Sequence, residues 1–177
     1  MHRIITILIP ITIFLSACSN SDVAGATDIE TGAQIAGILY APDGSIESGT
    51  TVSLIPDGYT PLDTLALLRK SAITNTEGAY SFNNIDSGTY ALEVINHQAS
   101  TGLYKPIVTV THRSKIETSD TLQHTGSVTI VLSRNTVVNG GYVYIKNSTH
   151  IGTITLDTDS TATAVINNIP LGTYAEF

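Results

Sequence analysis

The chain predicts an all-β protein: two tandem antiparallel β-sandwiches, the second one incomplete. Three observations in its 177 residues lead there. Short segments alternate apolar and polar side chains and are rich in Val, Ile, Thr and Tyr, the pattern of half-buried strands. The breaks between them are turn chemistry: Pro42-Asp43-Gly44, Pro56-Asp57-Gly58, Glu77-Gly78, Ser87-Gly88 and Asn139-Gly140-Gly141. Regular short strands separated by such turns indicate a sandwich. Finally, part of the chain repeats itself.

The elements follow in order. Met1-His2-Arg3 precedes an apolar run, Ile4 to Ala17, of 14 residues. A membrane-spanning helix needs roughly 20, and Pro10 would interrupt a long helix, so the run fits a signal peptide. Ser19 to Gly32 is small, polar and without period. It reads as a flexible tether with an end-to-end distance of about 20 Å. Strands are expected over Thr51–Ile55, Ala79–Phe82, Thr89–Val94, Ile107–Thr111 and Val128–Leu132. Leu62, Leu65 and Leu68, three apart, predict a short helical turn between Leu62 and Lys70 that packs one end of the sandwich.

Asn83-Asn84-Ile85-Asp86-Ser87-Gly88-Thr89-Tyr90-Ala91 returns, displaced by 84 residues, as Asn167-Asn168-Ile169-Pro170-Leu171-Gly172-Thr173-Tyr174-Ala175, with seven of nine positions identical. Gly49 to Ile55 resembles Gly140 to Lys146 at a displacement of 91. The first copy therefore carries seven more residues between the two matches, most simply within Tyr59 to Lys70. Two tandem β units follow. The second runs to Phe177, where the first continues through further strands, so the second unit is expected to be a fragment or to be completed by a partner.

Two resemblances refine this reading. Leu15-Ser16-Ala17-Cys18, after the apolar run, resembles the lipobox of bacterial lipoproteins. The resemblance implies cleavage before Cys18 and lipidation of that cysteine, the only one in the chain. Ser19, rather than Asp, follows the cysteine, which in that family implies an outer-membrane address. Several acyl chains together hold a protein firmly on a membrane. The second resemblance runs through Ala36-Gly37-Ile38-Leu39-Tyr40, Asp43-Gly44, Gly49–Leu54, Thr74–Phe82 and Ile85–Val94. This order is similar to the carboxypeptidase regulatory-like domain family, whose fold is a prealbumin-like (transthyretin-like) seven-stranded sandwich. Such domains are accessory modules, often grouped with carbohydrate-binding-like folds, and imply no peptidase activity. The second unit matches less well, with Ala162 in place of Gly78 and Ala164 in place of Tyr80. The resulting division is 1–17 signal peptide, 18–32 lipidated cysteine and tether, 33–121 first sandwich and 122–177 second, truncated repeat.

Cleavage would leave 160 residues and take the formal charge from −7 to −8. An acidic chain has no electrostatic footprint for nucleic acid and no basic patch for anionic lipid. With a single cysteine, no internal disulfide is available, so a hydrophobic core must hold the fold. Thr74–Gly78 and Asp157–Ser160 place oxygen-bearing side chains on tight loops, but without the twelve-residue spacing of a calcium hand. They read as hairpin turns, and the Asp157/Asp159 pair as solvated turn residues. His97, His112, His124 and His150 lie at no zinc spacing and read as surface loop residues. There is no GxSxG nucleophile elbow. No metal, cofactor or catalytic residue is expected. The resemblance to crosslinked adhesin repeats fails for want of a lysine in Ala33–Tyr40, so no self-formed isopeptide bond is expected. Sugar binding would need exposed aromatic faces, and the chain lacks Trp. Tyr59 and Tyr104, expected in loops, and Tyr142 and Tyr144, on one face of one strand, are the candidate platform. The expectation is a lipid-anchored, non-enzymatic cell-envelope protein acting as a structural or interaction module, with a protein or glycan partner. The alternative is a carbohydrate-binding lipoprotein of a surface polysaccharide system.

Overall fold

The structure is a computed structural model that describes residues 32–62, 68–132, 140–156 and 161–174. Twelve strands run through these residues, and no α-helix forms among them. The first eight are β1 (Ala33–Tyr40), β2 (Thr51–Pro56), β3 (Lys70–Ile73), β4 (Ala79–Ile85), β5 (Gly88–Asn96), β6 (Thr101–Val110), β7 (Lys115–Thr121) and β8 (Gln123–His124). The last four are β9 (Gly126–Leu132), β10 (Tyr142–Tyr144), β11 (Ile151–Leu156) and β12 (Ala162–Ile169). The signal peptide, Cys18, the tether, most of the expected helical turn and the Asp157–Ser160 loop lie outside the described residues.

The first eight strands form two facing sheets, ordered β4-β1-β7 and β3-β2-β5-β6-β8. Alternation along each strand buries one face. Ile35 and Leu39 of β1, Tyr80, Phe82 and Ile85 of β4, Val52 and Leu54 of β2, and Leu92 and Val94 of β5 meet in one apolar core. Lys105 on β6 ties the sheets at their rim, its Nζ 2.6 Å from the Asp120 carboxylate on β7. Not every pairing is antiparallel. β7 runs parallel to β1 over seven residues, Gln34–Tyr40 against Lys115–Thr121. The chain reaches β7 from β6 in the opposite sheet, so no hairpin sets its direction.

The last four strands form one sheet, β10-β11-β12-β9. Its pairings repeat those of the first unit. β12 pairs antiparallel with β9 as β4 does with β1, and β10 with β11 as β2 does with β3. Both β1–β4 and β9–β12 carry a register shift at the asparagine pair, Asn83-Asn84 and Asn167-Asn168. The second asparagine has positive φ in each, 53° at Asn84 and 57° at Asn168. The Tyr90 hydroxyl donates to the Asp86 carbonyl at 2.9 Å, and the Tyr174 hydroxyl donates to the Pro170 carbonyl at 2.8 Å. This is a tyrosine corner made twice, 84 residues apart.

Several expectations change. At the expected Ser87-Gly88 turn the left-handed residue is not the glycine but Asn84 before it, and asparagine tolerates that region better than most residues. The strand expected over Ile107–Thr111 begins earlier, at Thr101. β3 and β7 were not expected: β3 is four residues long and β7 alternates Ile116, Thr118 and Asp120 with charged or polar neighbours. Gly37 makes the three-stranded sheet possible. A Cβ there would stand 2.7 Å from both the Tyr80 hydroxyl and Thr118 Oγ1, which bond each other at 3.1 Å across β1.

Candidate functional site

The outer face of the five-stranded sheet is not solvated. Ser53 and Ile55 on β2, Ala91 and Glu93 on β5, and Tyr104 on β6 are all buried, although they point away from the sandwich core. The second unit covers them. Its β10–β11 loop and the segment after β12 lie on this face, and Tyr174 belongs to the apolar clusters of both units.

Asn147, at φ 59°, is the peg of this joint. Its backbone N–H donates to the Tyr59 carbonyl at 3.0 Å, and its carbonyl accepts from the Tyr104 hydroxyl at 3.1 Å. Its side-chain oxygen accepts from the Gly58 N–H at 2.8 Å, and its side-chain amide donates to Asp57 Oδ1 at 2.8 Å. The Pro56-Asp57-Gly58 turn thus grips one residue through both its backbone and its side chain. The Tyr104 and Tyr174 rings stack beside it, 4.2 Å apart and 19° from parallel. Gly102 admits Pro170: a Cβ there would lie 2.8 Å from the proline ring.

At the centre is a carboxylate. Glu93 is 1% exposed on a central strand. It accepts from the Thr149 hydroxyl and from the Thr149 N–H, at 3.1 Å to Oε2. His150, 5% exposed, presents Nε2 3.4 Å from Glu93 Oε2, and that nitrogen makes no hydrogen bond. Burial raises the Glu93 pKa, against the lowering effect of the Thr149 bonds and of Arg69. Burial, with the nearby His97, depresses His150 to about 4. Desolvation thus disfavours the charged forms of both groups, which opposes a simple ion pair between them at 3.4 Å. Burial also pushes the Tyr104 hydroxyl up to about 12, and Tyr174 rises for the same reason.

The candidate platform does not assemble. Tyr59 and Tyr104 are 4% and 6% exposed, and Tyr104 lies on strand β6 rather than in a loop. Both are covered by the second unit and present no face to a sugar. Tyr142 and Tyr144 do share the outward face of β10, with Tyr142 54% exposed. His150, read as a surface loop residue, is buried in the joint, whereas His97, His112 and His124 are exposed. The Thr74–Gly78 loop is a turn held by Asn75, whose Oδ1 accepts from Glu77 N and Ala79 N at 3.0 and 2.8 Å. Among the described residues, no three His, Cys, Asp or Glu side chains gather around a metal-sized space. A half-open groove of about 380 Å³ flanks the joint, lined by Asp57, Thr89, Tyr104, Ile107, Asn147 and Thr173. A second of about 570 Å³ lies against the first unit, lined by Ile38, Ile73, Asn75, Tyr80 and Glu117 among others. No described helix is long and apolar enough to cross a membrane.

No family model matches the sequence, and no curated protein matches it. Solved structures share part of the fold. A proposed carbohydrate-binding protein from Pseudomonas aeruginosa is 22% identical, over 54% of this chain and 92% of that one, with a TM-score of 0.38. A cohesin–X-dockerin complex from Acetivibrio cellulolyticus aligns at 17% identity over 53% of this chain and 59% of that one, with a TM-score of 0.37. The Bacillus anthracis TIE protein aligns over 81% of this chain and 27% of its own, at 13% identity and a TM-score of 0.40. These likenesses concern the β architecture alone.

Proposed function

We propose that this chain is a lipid-anchored, non-enzymatic protein of the cell envelope, a structural and interaction module of tandem prealbumin-like β-sandwiches. The joint carries the reading. Glu93 and His150, both deeply buried, hold one unit against the other instead of facing a cleft open to substrate. A spacer needs such a fixed angle between units; an enzyme would place its perturbed ionisable groups where a ligand can reach them. The sheet orders of the first unit support the prealbumin-like assignment, and the repeated corner at Tyr90 and Tyr174 supports the tandem one. The anchor rests on Leu15–Cys18, and Ser19 favours the outer membrane. Metabolic labelling with an alkyne fatty acid tests it: the intact chain takes up label and sediments with membranes, and Cys18→Ala takes up none. Hydrolase activity that purifies with the chain and disappears on a substitution within it would overturn the non-enzymatic assignment.

Tyr142 and Tyr144 favour a second reading, a carbohydrate-binding accessory protein, since an exposed Tyr142 beside a half-buried Tyr144 on one strand face can stack on a sugar. A glycan array run with Tyr142→Ala/Tyr144→Ala alongside decides it. A hit lost in the double variant supports the reading, and silence from folded protein removes it.

A further inference from the structure

We propose that the outward face of the second sheet binds an uncharged polysaccharide, laid across the four strands along the row Tyr142, Thr153, Val165 and Thr129. The proposal rests on the carbohydrate-binding reading of Tyr142 and Tyr144 and names its ligand class. Strand pairing builds the row. Tyr142 stands opposite Thr153, and Val165 opposite Thr129. The β11–β12 register, Ile154 against Ala164, sets Thr153 beside Val165. Directly opposed residues share one face of a sheet, and all four are exposed.

The complete first unit shows that this face stays open. There the same row recurs: Thr51 opposes Ile73, and Ser81 opposes Ala36. Thr51, Ile73 and Ser81 are exposed and Ala36 is half-buried, although both sheets of that sandwich are present. Ala36, Ile73 and Ser81 line the groove of about 570 Å³. The row in the second unit thus uses positions that a finished sandwich leaves to solvent.

The ligand class follows from charge, hydroxyls and size. β9, β10, β11 and β12 carry no Asp, Glu, Lys or Arg. The strands of the first unit include Lys70, Glu93, Lys105, Lys115, Glu117 and Asp120. An anionic glycan would find no cation on the face, in a chain whose formal charge is −7. Tyr142 offers a ring for an apolar sugar face, and Thr153 and Thr129 offer hydroxyls at the next strand and the last. Four strands about 4.8 Å apart make the row about 14 Å long, room for about three sugar rings in line. The whole face, about 14 by 20 Å, falls well short of the roughly 800 Å² that each side of a standard protein interface buries.

The test holds the full chain on phosphatidylcholine vesicles and titrates it with oligosaccharides of increasing length. Neutral gluco-, manno- and xylo-oligosaccharides are compared with oligogalacturonates. Affinity for a neutral series should rise up to about three units and then level off. Val165→Asp, which puts a charge at mid-row, should weaken binding about tenfold or more with the melting temperature kept. Thr153→Ala/Thr129→Ala should weaken it several-fold, and it covers any failure of Val165→Asp to fold. Tighter binding of galacturonates than of every neutral series overturns the proposal, and so does a single sugar bound as well as a trimer. In either case, loss of that binding in Tyr142→Ala/Tyr144→Ala would still uphold the carbohydrate reading. Binding untouched by both row variants also overturns the proposal, since the glycan would then lie elsewhere. Silence toward every glycan from folded protein overturns the proposal and that reading together.

Discussion

Glu93 occupies a position that would be solvated if the five-stranded sheet faced water. Covered by the second unit, its carboxyl depends on Thr149 for hydrogen bonds and on His150 for a polar neighbour. The two titrating groups have opposite linkages. The raised Glu93 pKa means that the fold holds this proton more tightly than the unfolded chain does, so stability is lost as pH rises from the usual carboxylate range through the raised value. The depressed His150 pKa means that the fold resists protonation, so stability is lost as pH falls from 6.5 toward about 4. Where both apply the terms oppose each other, so the melting temperature of the intact protein should depend less on pH than that of either single variant, Glu93→Gln or His150→Gln. Single substitutions should unmask each term. Glu93→Gln should lose melting temperature on acidification from pH 7 to 5, and His150→Gln on alkalinisation from pH 4.5 to 7. The other groups acting on the pair, Arg69 and His97, remain in both variants. Parallel pH profiles in the two variants would refute this account. Asn147 makes a simpler case. Asn147→Ala removes the bonds to Gly58 and Asp57 and places alanine at a left-handed φ, for a cost of about 2 kcal/mol in chemical denaturation.

At the scale of elements, β1 is the most constrained strand. Gly37 lets the Tyr80–Thr118 bond cross over it, so Gly37→Ala should cost about 1–3 kcal/mol and lower the melting temperature by several degrees. Thr118→Ala should lower that cost by removing one of the two clashing groups, a coupling that a double-mutant cycle measures. Much at this scale was legible beforehand. The nine-residue repeat returns as repeated structure, with a tyrosine hydroxyl closing the same corner in each copy. The seven-residue difference in repeat spacing also appears, as the longer β2–β3 connection compared with β10–β11. β3 and β7 were not legible. β3 is too short to show a period, and in β7 the inward phase alternates Ile with Thr and Asp, so hydrophobicity does not mark it.

For the whole molecule, the joint predicts cooperative melting. Tyr174 belongs to the apolar clusters of both units, so Tyr174→Ala should cost roughly 3 kcal/mol and divide one calorimetric transition into two. A single sharp transition in this variant would show that the ring does not couple the units. What the sequence by itself determined was local: the all-β class, most of the strands, the turns and the repeat. Each of these follows from short-range periodicity or from a contiguous motif. Only the tertiary structure decided that Tyr59 and Tyr104 are internal, that His150 is buried beside Glu93, and that one face of the first unit is covered by the second. A hint was present in Ile55, Ala91 and Ile95, apolar residues in the outward phase of β2 and β5 where a solvated face would be polar. Which surface would cover that second face could not be read from alternation, because burial there depends on contact between residues more than fifty positions apart.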